Sequence, residues 1–449
     1  NCDWSSDVCS SDLRCLEFFA GAYGGWKSSL EVLAKYNIHS QTVGIEIDER
    51  ASKAYAMTHY ANWIGPQVEI PNDWFLNNQE NWIWQQDVTN PKILGPLTHW
   101  QPHVITISSP CPDWSSAGTA QGLLKPGAKL LFQTVLLSRW IRPMYIALEQ
   151  VSNFNNHDHK HWILKALHSV GFRLVWQKVC NLGTHAQTNR LRWLGLAQRS
   201  SDLVPPVPFV MWPPREETWP SVCMPWTDED RKPLCLTADI VELASSAAFL
   251  KTSVVQLPTP EVIFAKRIFK PTDVFPTFMA LYGQQHHVRK EFLKKHGYLG
   301  HFVHDPEAPH QCRFLHPAEV AILHGTWNKV YLDADNQHAW YHLGNMIAIP
   351  HALLVLGNLA KSMGLLDAQM DEIFQCFHGS KLTTANSCYR RIAKGGFVMR
   401  KDHMLTREFL RLAETQEDSL HKERCQLWSP IHGSFTSVDK FLHTKAQTI

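Results

Sequence analysis

A lone cysteine stands between two prolines directly after an apolar run. The run ends at Ile107 and continues as Ser-Ser-Pro-Cys-Pro, in which the cysteine is Cys111. Proline fixes φ and lacks a backbone N–H, so Pro110 and Pro112 hold the thiol in a rigid loop. One cysteine among 11 is more often an inert buried thiol. This setting, at the expected carboxyl edge of a sheet, favours instead a nucleophile that bonds covalently to its substrate.

Acidic residues end other apolar runs. Glu46 is placed to accept hydrogen bonds from both hydroxyls of a ribose. Asp87, followed by Val88, is placed to accept one from an adenine amino group. Each acid singly is more typical of a solvated surface charge. Their order along the predicted strands favours an adenosine-containing cofactor across the sheet edge.

A glycine-containing turn precedes both acids. Residues 17–26 read Glu-Phe-Phe-Ala-Gly-Ala-Tyr-Gly-Gly-Trp, a strand that runs into Gly21, Gly24 and Gly25 and then into a helix. Glycine lets a ligand approach the backbone closely. The spacing is not the G-x-G-x-x-G of dinucleotide sites, so a plain tight turn fits this segment equally well.

Alternating strands and helices must position these residues. Short runs rich in β-branched residues alternate with longer stretches of helical period from Arg14 to about Gln198. The predicted strands are 14–19, 41–47, 104–108, 145–149, 174–180 and 191–196, and the predicted helices are 26–36, 49–60, 129–142 and 159–170. This alternation predicts a doubly wound, Rossmann-like α/β domain with a mainly parallel sheet.

The rest of the chain divides by composition. Residues 1–13 repeat a Ser-Ser-Asp pattern that resembles translated adaptor sequence, so we expect them to be non-native or disordered. Eight prolines between 205 and 233 mark a boundary after a catalytic unit at 14–200. A smaller module with basic clusters follows at 201–312, and helical periodicity returns at 313–365. The remainder, 366–449, is a basic extension.

Composition and charge limit the partners. With 44% hydrophobic and 19% charged residues in 449, the chain is expected to fold. The net charge is only +2, so a nucleic acid must be met by a local basic surface. Cysteines without C-x-x-C spacing argue for an intracellular protein with reduced thiols and no structural metal.

The most apolar stretch lies near the end of the periodic region. It runs over residues 346–366 and contains Pro350, His351, Asn358 and Lys361, which are costly in a bilayer. We therefore expect no membrane span in this stretch. A monomer is expected, in the nucleus of a eukaryotic source or the cytoplasm of a bacterial or viral one.

The order of these motifs resembles the cytosine-5 DNA methyltransferase family. The motifs that carry the resemblance are Phe19-Ala20-Gly21 with Gly24-Gly25, Glu46-Ile47-Asp48, Asp87-Val88, Pro110-Cys111-Pro112, Glu149-Gln150-Val151, a Gln-Thr-Asn-Arg-Leu-Arg run at 187–192, the segment 313–325, and Leu343-Gly344-Asn345-Met346. Together they span about residues 14–365. Four departures concern the cofactor geometry more than the reaction class: an extra residue in the glycine turn, Gln150 for Asn, Gln187 one place early, and Met346-Ile347-Ala348-Ile349-Pro350 for Ala-Val-Pro-Pro.

The resemblance implies a role for each matched residue. S-adenosylmethionine is the implied cofactor and double-stranded DNA the implied partner, with the target base flipped out of the duplex. Cys111 adds to the base, Glu149 binds its ring-nitrogen edge, and Arg190 or Arg192 holds it. The implied cofactor site consists of Phe19, Gly21, Gly24, Gly25, Glu46, Ile47, Asp87, Val88, Pro110 and Asn345. The 201–312 module takes the place of the target-recognition region.

Other functions stay open on the sequence alone. A relative within the family uses the same motifs on tRNA, although the long, proline-broken 201–312 insertion favours DNA. A DNA-binding protein with a decayed active site is motivated by the motif departures. An amino-group methyltransferase is disfavoured because it needs an Asp/Asn-Pro-Pro-aromatic loop, and a nicotinamide oxidoreductase has no evident use for Pro-Cys-Pro.

Overall fold

A computed structural model gives the arrangement of the chain. It describes residues 13–115, 120–180, 191–201, 204, 206, 207, 268, 269, 278, 280, 302–305, 308–326, 330–333, 335–366, 372, 373, 389–392, 404 and 405. Most of the predicted 201–312 module and 366–449 extension, residues 1–12 and Arg190 lie outside this set. The proposed domain boundaries therefore remain predictions.

A nine-stranded sheet forms the centre of the described chain. Its strands are β1 (Leu13–Phe18), β2 (Ser40–Glu46), β3 (Asn62–Ile64), β4 (Trp82–Gln85), β5 (Val104–Ile107), β6 (Tyr145–Val151), β7 (Phe172–Cys180), β8 (Arg192–Arg199) and β14 (Met404–Leu405). They lie in the order β14-β3-β4-β2-β1-β5-β6-β8-β7. Strands β3 to β6 in this order are parallel, whereas β8 runs antiparallel between β6 and β7. This is the predicted doubly wound, Rossmann-like arrangement.

Nine helices are described around the sheet. They are α1 (Gly25–Ala34), α2 (Glu49–His59), α3 (Trp74–Asn77), α4 (Leu94–Trp100), α5 (Pro126–Ile141), α6 (Lys160–Ser169), α7 (Pro317–Leu323), α8 (Asn336–Asn345) and α9 (Ile349–Ser362). Smaller described strands are β9 (Ile268–Phe269), β10 (Phe302–Asp305), β11 (Ala308–Phe314), β12 (Val330–Asp333) and β13 (Tyr389–Ile392).

Two apolar cores lie on opposite faces of the sheet. Helices α1, α2 and α9 contribute to one core, and α4, α5 and α6 to the other. Strands β1 and β5 contribute side chains to both cores, because parallel strands covered on two faces are apolar in both directions. The carboxyl ends of these strands meet at one edge of the sheet, where ligands of open α/β sheets bind.

The late segment of the chain packs on its beginning. Ser29 of α1 donates a hydrogen bond to the carbonyl of Ile349, 3.1 Å away, and the backbone N–H of Tyr331 donates to Thr58 Oγ1 at 3.2 Å. Among the described residues, the stretch 336–362, which comprises α8 and α9, has the length and hydropathy of a membrane span. Since 94% of its most apolar window is buried inside the protein, it packs as part of the core.

The predicted elements of the catalytic unit are confirmed, with ends displaced by up to three residues. The short strands β3 and β4 were not predicted. Strand β4 consists of Trp82, Ile83, Trp84 and Gln85, and it lies beside β2. Its four residues are too few to show a period. Asp87 lies two residues after its last residue, close to the end of the strand as predicted.

Candidate active site

A cavity of about 400 Å³ opens at the carboxyl ends of the parallel strands. Thirteen of the 14 predicted site residues line it: Phe19, Gly21, Gly24, Gly25, Glu46, Ile47, Asp87, Val88, Pro110, Cys111, Glu149, Arg192 and Asn345. The fourteenth, Arg190, is not among the described residues. In the described part of the chain, no cluster of His, Cys, Asp and Glu has the arrangement of a metal site.

The glycine turn after β1 leaves no room for side chains at two positions. Gly24 has a φ of +42°, and a Cβ there would lie 2.4 Å from the ring of Tyr55. A Cβ on Gly25 would lie 2.4 Å from the side chain of Ile347. Gly21, with a φ of +66°, instead faces open space. The turn therefore packs α1 tightly against two other segments while one backbone edge stays open to a ligand.

The extra residue in this turn is accommodated by buried hydrogen bonds. The carbonyl of Tyr23 is contacted by His59 Nε2 at 3.0 Å and accepts from Ser28 Oγ at 3.1 Å. On its other side, His59 Nδ1 lies 2.7 Å from Glu31 Oε1. The insertion thus has specific partners in α1 and α2, and the three glycines of the turn all line the cavity.

Glu46 and its neighbours form the part of the cavity that suits an adenosine. Glu46 accepts hydrogen bonds from the backbone N–H groups of Gly21 and Asp48, at 2.9 Å each, through its two different oxygens. Burial raises the pKa of this carboxyl group. Each carboxylate oxygen has a second lone pair, which can accept from a ribose hydroxyl.

Apolar and polar surfaces flank Glu46. Ile47 is 63% exposed although it is a large apolar residue, and it provides an apolar surface at the cavity. Asp87 accepts from the N–H and hydroxyl of Thr89 at 2.8 Å through one oxygen, so its other oxygen is the one placed for a ligand. Glu46 as an acceptor for the ribose, Ile47 as an apolar surface and Asp87 as an acceptor for the amino group together fit the adenosine of S-adenosylmethionine.

The cysteine loop is anchored on its far side. The Cys111 carbonyl accepts from the N–H groups of Trp114 at 3.0 Å and Ser115 at 2.9 Å, forming a tight turn. Trp114 is fully buried against Phe154, with ring centroids 4.9 Å apart. Asp113 accepts from the N–H of Ala128 in the first turn of α5 at 3.1 Å. These contacts hold the half-buried thiol at the cavity wall.

Gln150 anchors the loop on its near side. Its amide Nε2 donates to the carbonyl and the hydroxyl of Ser109, at 2.9 Å each, and the side chain is 2% exposed. Strand β6 is thereby tied to the residue that precedes Pro110-Cys111. The longer Gln side chain, where the family pattern has Asn, spans this distance.

Replacing Gln150 by leucine is expected to leave two buried polar groups of Ser109 without this donor. We expect the free energy of unfolding to fall by about 1–3 kcal/mol. Urea titration of Gln150→Leu beside the wild type measures the change. An unaltered unfolding midpoint would mean that these hydrogen bonds do not hold the loop.

Glu149 and Arg192 form a buried ion pair across β6 and β8. Arg192 Nε lies 3.0 Å from Glu149 Oε1, and both side chains are 8% exposed. Arg192 stands opposite Val151 in the antiparallel ladder, which brings its long side chain back alongside Glu149. Both residues of the pair also line the cavity that Cys111 lines.

Residues 13–217 match the family model for the C-5 cytosine-specific DNA methylase. This segment is similar to the cytosine-5 DNA methylases. Domains of this family depend on S-adenosylmethionine, in agreement with the adenosine-type surface around Glu46. The match covers β1 to β8 and ends before the segment that carries Asn345. No significant match was found among curated protein sequences.

Solved methyltransferase structures resemble this chain, and the fold comparison rests on the first of them. The methyltransferase EhMeth of Entamoeba histolytica is 16% identical, with a TM-score of 0.52, and the alignment covers 79% of this chain and 99% of that one. A DNMT2 triple mutant of Spodoptera frugiperda is also 16% identical, with a TM-score of 0.48 and coverages of 79% and 100%. A putative DNA modification methyltransferase from an Escherichia coli prophage is 15% identical, with a TM-score of 0.44 and the same coverages.

Glu17 is a cavity-lining acid that was not predicted as a site residue. It is 1% exposed near the carboxyl end of β1, and Tyr55 donates to its carboxylate at 3.1 Å. Burial raises its pKa to about 8, against the hydrogen bonds and the nearby Lys27, which lower it. The signal in the sequence was a single acid within an otherwise apolar strand.

Glu17 is expected to make stability depend on pH. Its pKa is near 4.5 in an unfolded chain and about 8 in the fold, so the folded state binds the proton more tightly. Its contribution to stability is full below about pH 4.5 and is lost as the pH rises through 8. The slope is at most about 1.4 kcal/mol per pH unit.

Melting curves of the wild type and Glu17→Gln between roughly pH 5.5 and 8.5 test this expectation. The melting temperature of the variant is expected to fall less steeply toward high pH than that of the wild type. Glu69→Gln changes a surface acid that is paired with Lys92. It is the control, and its melting temperature should fall with pH as steeply as that of the wild type. Parallel curves for the wild type and Glu17→Gln would contradict the assignment.

Proposed function

We propose that this chain transfers a methyl group from S-adenosylmethionine to carbon 5 of cytosine in double-stranded DNA, through a covalent bond to Cys111. The observation that carries the proposal is that one cavity is lined by the thiol, by the Glu149–Arg192 pair and by the adenosine-type residues around Glu46. A nucleophile, a base-binding acid and a cofactor surface are thus adjacent.

The chemistry requires a nucleophile because carbon 5 of cytosine is too weakly nucleophilic to attack a methyl sulfonium. The Cys111 thiolate forms a bond to carbon 6, and the electron pair of the 5,6 double bond becomes available at carbon 5. The cofactor supplies the methyl group that carbon 5 then takes. Loss of the carbon 5 proton and departure of the Cys111 thiolate restore the double bond.

Glu149 and Arg192 assist the addition. The Glu149 carboxyl group binds the ring-nitrogen 3 edge and shares a proton with it, so that charge on the ring is neutralised while the Sγ–carbon 6 bond forms. Arg192 holds that carboxyl group in place, and its positive charge offsets negative charge that develops beside it. Both effects act in a buried site, where electrostatic interactions are stronger than in water.

The substrate must present an unstacked cytosine. In a duplex this requires the base to be flipped into the cavity while the protein binds the flanking phosphates. The 201–312 segment, with Lys266, Arg267 and Lys270 in one cluster and Arg289, Lys290, Lys294 and Lys295 in another, supplies the basic residues for this role. Its length and prolines support DNA over tRNA as the substrate.

Parallel methyl-transfer assays test the substrate. Purified protein is incubated with tritiated S-adenosylmethionine and either unmethylated duplex DNA or total tRNA, and the labelled base is identified by chromatography. Label in 5-methylcytosine of DNA supports the proposal, and label in tRNA alone moves the activity to RNA. Binding of duplex DNA without label on either substrate would favour the decayed, DNA-binding alternative.

A further inference from the structure

His342 is a buried histidine that lines the cofactor cavity and has no role in the chemistry above. It lies on α8, three residues before Asn345, and is 8% exposed. Two residues earlier on the same helix, Trp340 is fully buried and donates to the carbonyl of Leu315 at 3.0 Å. The helix is therefore fixed in rotation, and His342 is held on the cavity side.

One ring nitrogen of His342 is not satisfied inside the protein. Its Nε2 is inaccessible and has no hydrogen-bond partner among the described residues. A buried polar atom without a partner costs about 1–3 kcal/mol, so native proteins rarely keep one without a reason. A ligand in the cavity is such a reason, and small rotations of the imidazole ring decide which nitrogen faces it.

One of the charged groups that act on His342 belongs to the segment that carries Glu46. Asp48, whose N–H donates to Glu46, and Asp333 both act to raise the pKa of His342, whereas His338 and Arg50 act to lower it. Burial outweighs these charges and lowers the pKa. The ring is thus neutral at pH 7 and carries one N–H donor and one acceptor.

A ribose needs both kinds of partner. Glu46 accepts hydrogen bonds from the two hydroxyl protons but cannot donate to the hydroxyl oxygens. We propose that His342 completes the ribose site by donating a hydrogen bond to a hydroxyl oxygen of S-adenosylmethionine, opposite Glu46. It is then a cofactor-binding residue from the late segment of the chain, and the inference depends on the assignment of the cavity to this cofactor.

Calorimetric binding of S-adenosylhomocysteine and of its 2′,3′-dideoxyribose analogue tests the proposal. His342→Leu is expected to bind the parent ligand roughly 3- to 10-fold more weakly, as for loss of one neutral hydrogen bond. It should bind the dideoxy analogue as the wild type does, because that ligand lacks the hydroxyls. His342→Gln, which keeps an amide donor, should retain most of the affinity.

The control and the contradicting results are distinct. His338→Leu is the control. His338 lies one turn away on the same helix and pairs with Asp335 at 3.1 Å near the surface, so this change should alter the affinity for neither ligand. If His342→Leu loses the same affinity for both ligands, or loses no affinity for either, the proposed hydrogen bond is wrong. Should His342→Leu fail to fold, His342→Gln against His342→Met makes the same comparison. Failure of the wild type to bind either ligand would instead remove the cofactor assignment.

Discussion

Replacement of Cys111 by serine is expected to abolish methyl transfer, with a loss of at least about 10³-fold in kcat. A hydroxyl group is far less acidic and less nucleophilic than a thiol, so the bond to carbon 6 does not form. The fold should be unaffected, because the loop is held by backbone contacts to Trp114 and Ser115 and by Gln150. S-adenosylhomocysteine should bind Cys111→Ser as it binds the wild type.

A trapping experiment separates nucleophilic attack from other defects. In DNA that carries 5-fluorocytosine, carbon 5 has no proton to lose, so the wild type should remain covalently attached after methylation and migrate as a complex under denaturing conditions. Cys111→Ser should give no complex. Cys180→Ser is the matched control, since Cys180 is buried at the end of β7 and is not among the residues that line the cavity. A complex with Cys111→Ser would assign the nucleophile elsewhere.

Replacement of Glu149 by glutamine is expected to lower kcat by about 10²- to 10⁴-fold. The amide keeps the shape of the side chain but cannot give a proton to the base, and it no longer neutralises Arg192. Binding of S-adenosylhomocysteine should change little, because the predicted cofactor contacts lie at Glu46 and Asp87. Single-turnover rates on saturating DNA, beside calorimetric ligand affinities, separate the two effects.

Glu49→Gln is the matched control for Glu149→Gln. Glu49 pairs with Lys53 on the surface of α2, so its loss should leave both the rate and the affinity unchanged. If Glu149→Gln transfers methyl groups at the rate of the wild type, the carboxyl group does not take part in the addition. If it loses cofactor affinity by the same factor as its rate, Glu149 acts in binding and not in catalysis.

The elements that position the site were largely predictable because each is locally encoded. Parallel strands such as β1 and β5 are apolar on both faces and stand out as runs, and the reactive residues follow them directly. Strand β4 was not predicted because Trp82-Ile83-Trp84-Gln85 is too short to show the alternation of a strand. Strand β14 was not predicted because it is defined by its antiparallel pairing with β3. That pairing joins Met404 to Ile64, which is far away in the sequence.

Contacts between distant residues account for what the sequence did not reveal about the site. The raised pKa of Glu17 depends on burial by several elements, and the anchoring of Ser109 by Gln150 depends on the register between β5 and β6. His342 has no local motif of its own. Its burial and its charged neighbours are visible only when α8 is placed beside Asp48 at the start of α2.

The contact of Gly25 with Ile347 bears on how the protein is made. A residue near the amino end meets one more than 300 positions later, and the cavity wall that includes Asn345 is built from this late segment. During synthesis the cofactor site is therefore complete only after about residue 350 has left the ribosome. Such distant pairing also predicts slow folding. A fragment that ends at residue 217, as the matched family segment does, would contain the thiol but only one side of the cofactor cavity.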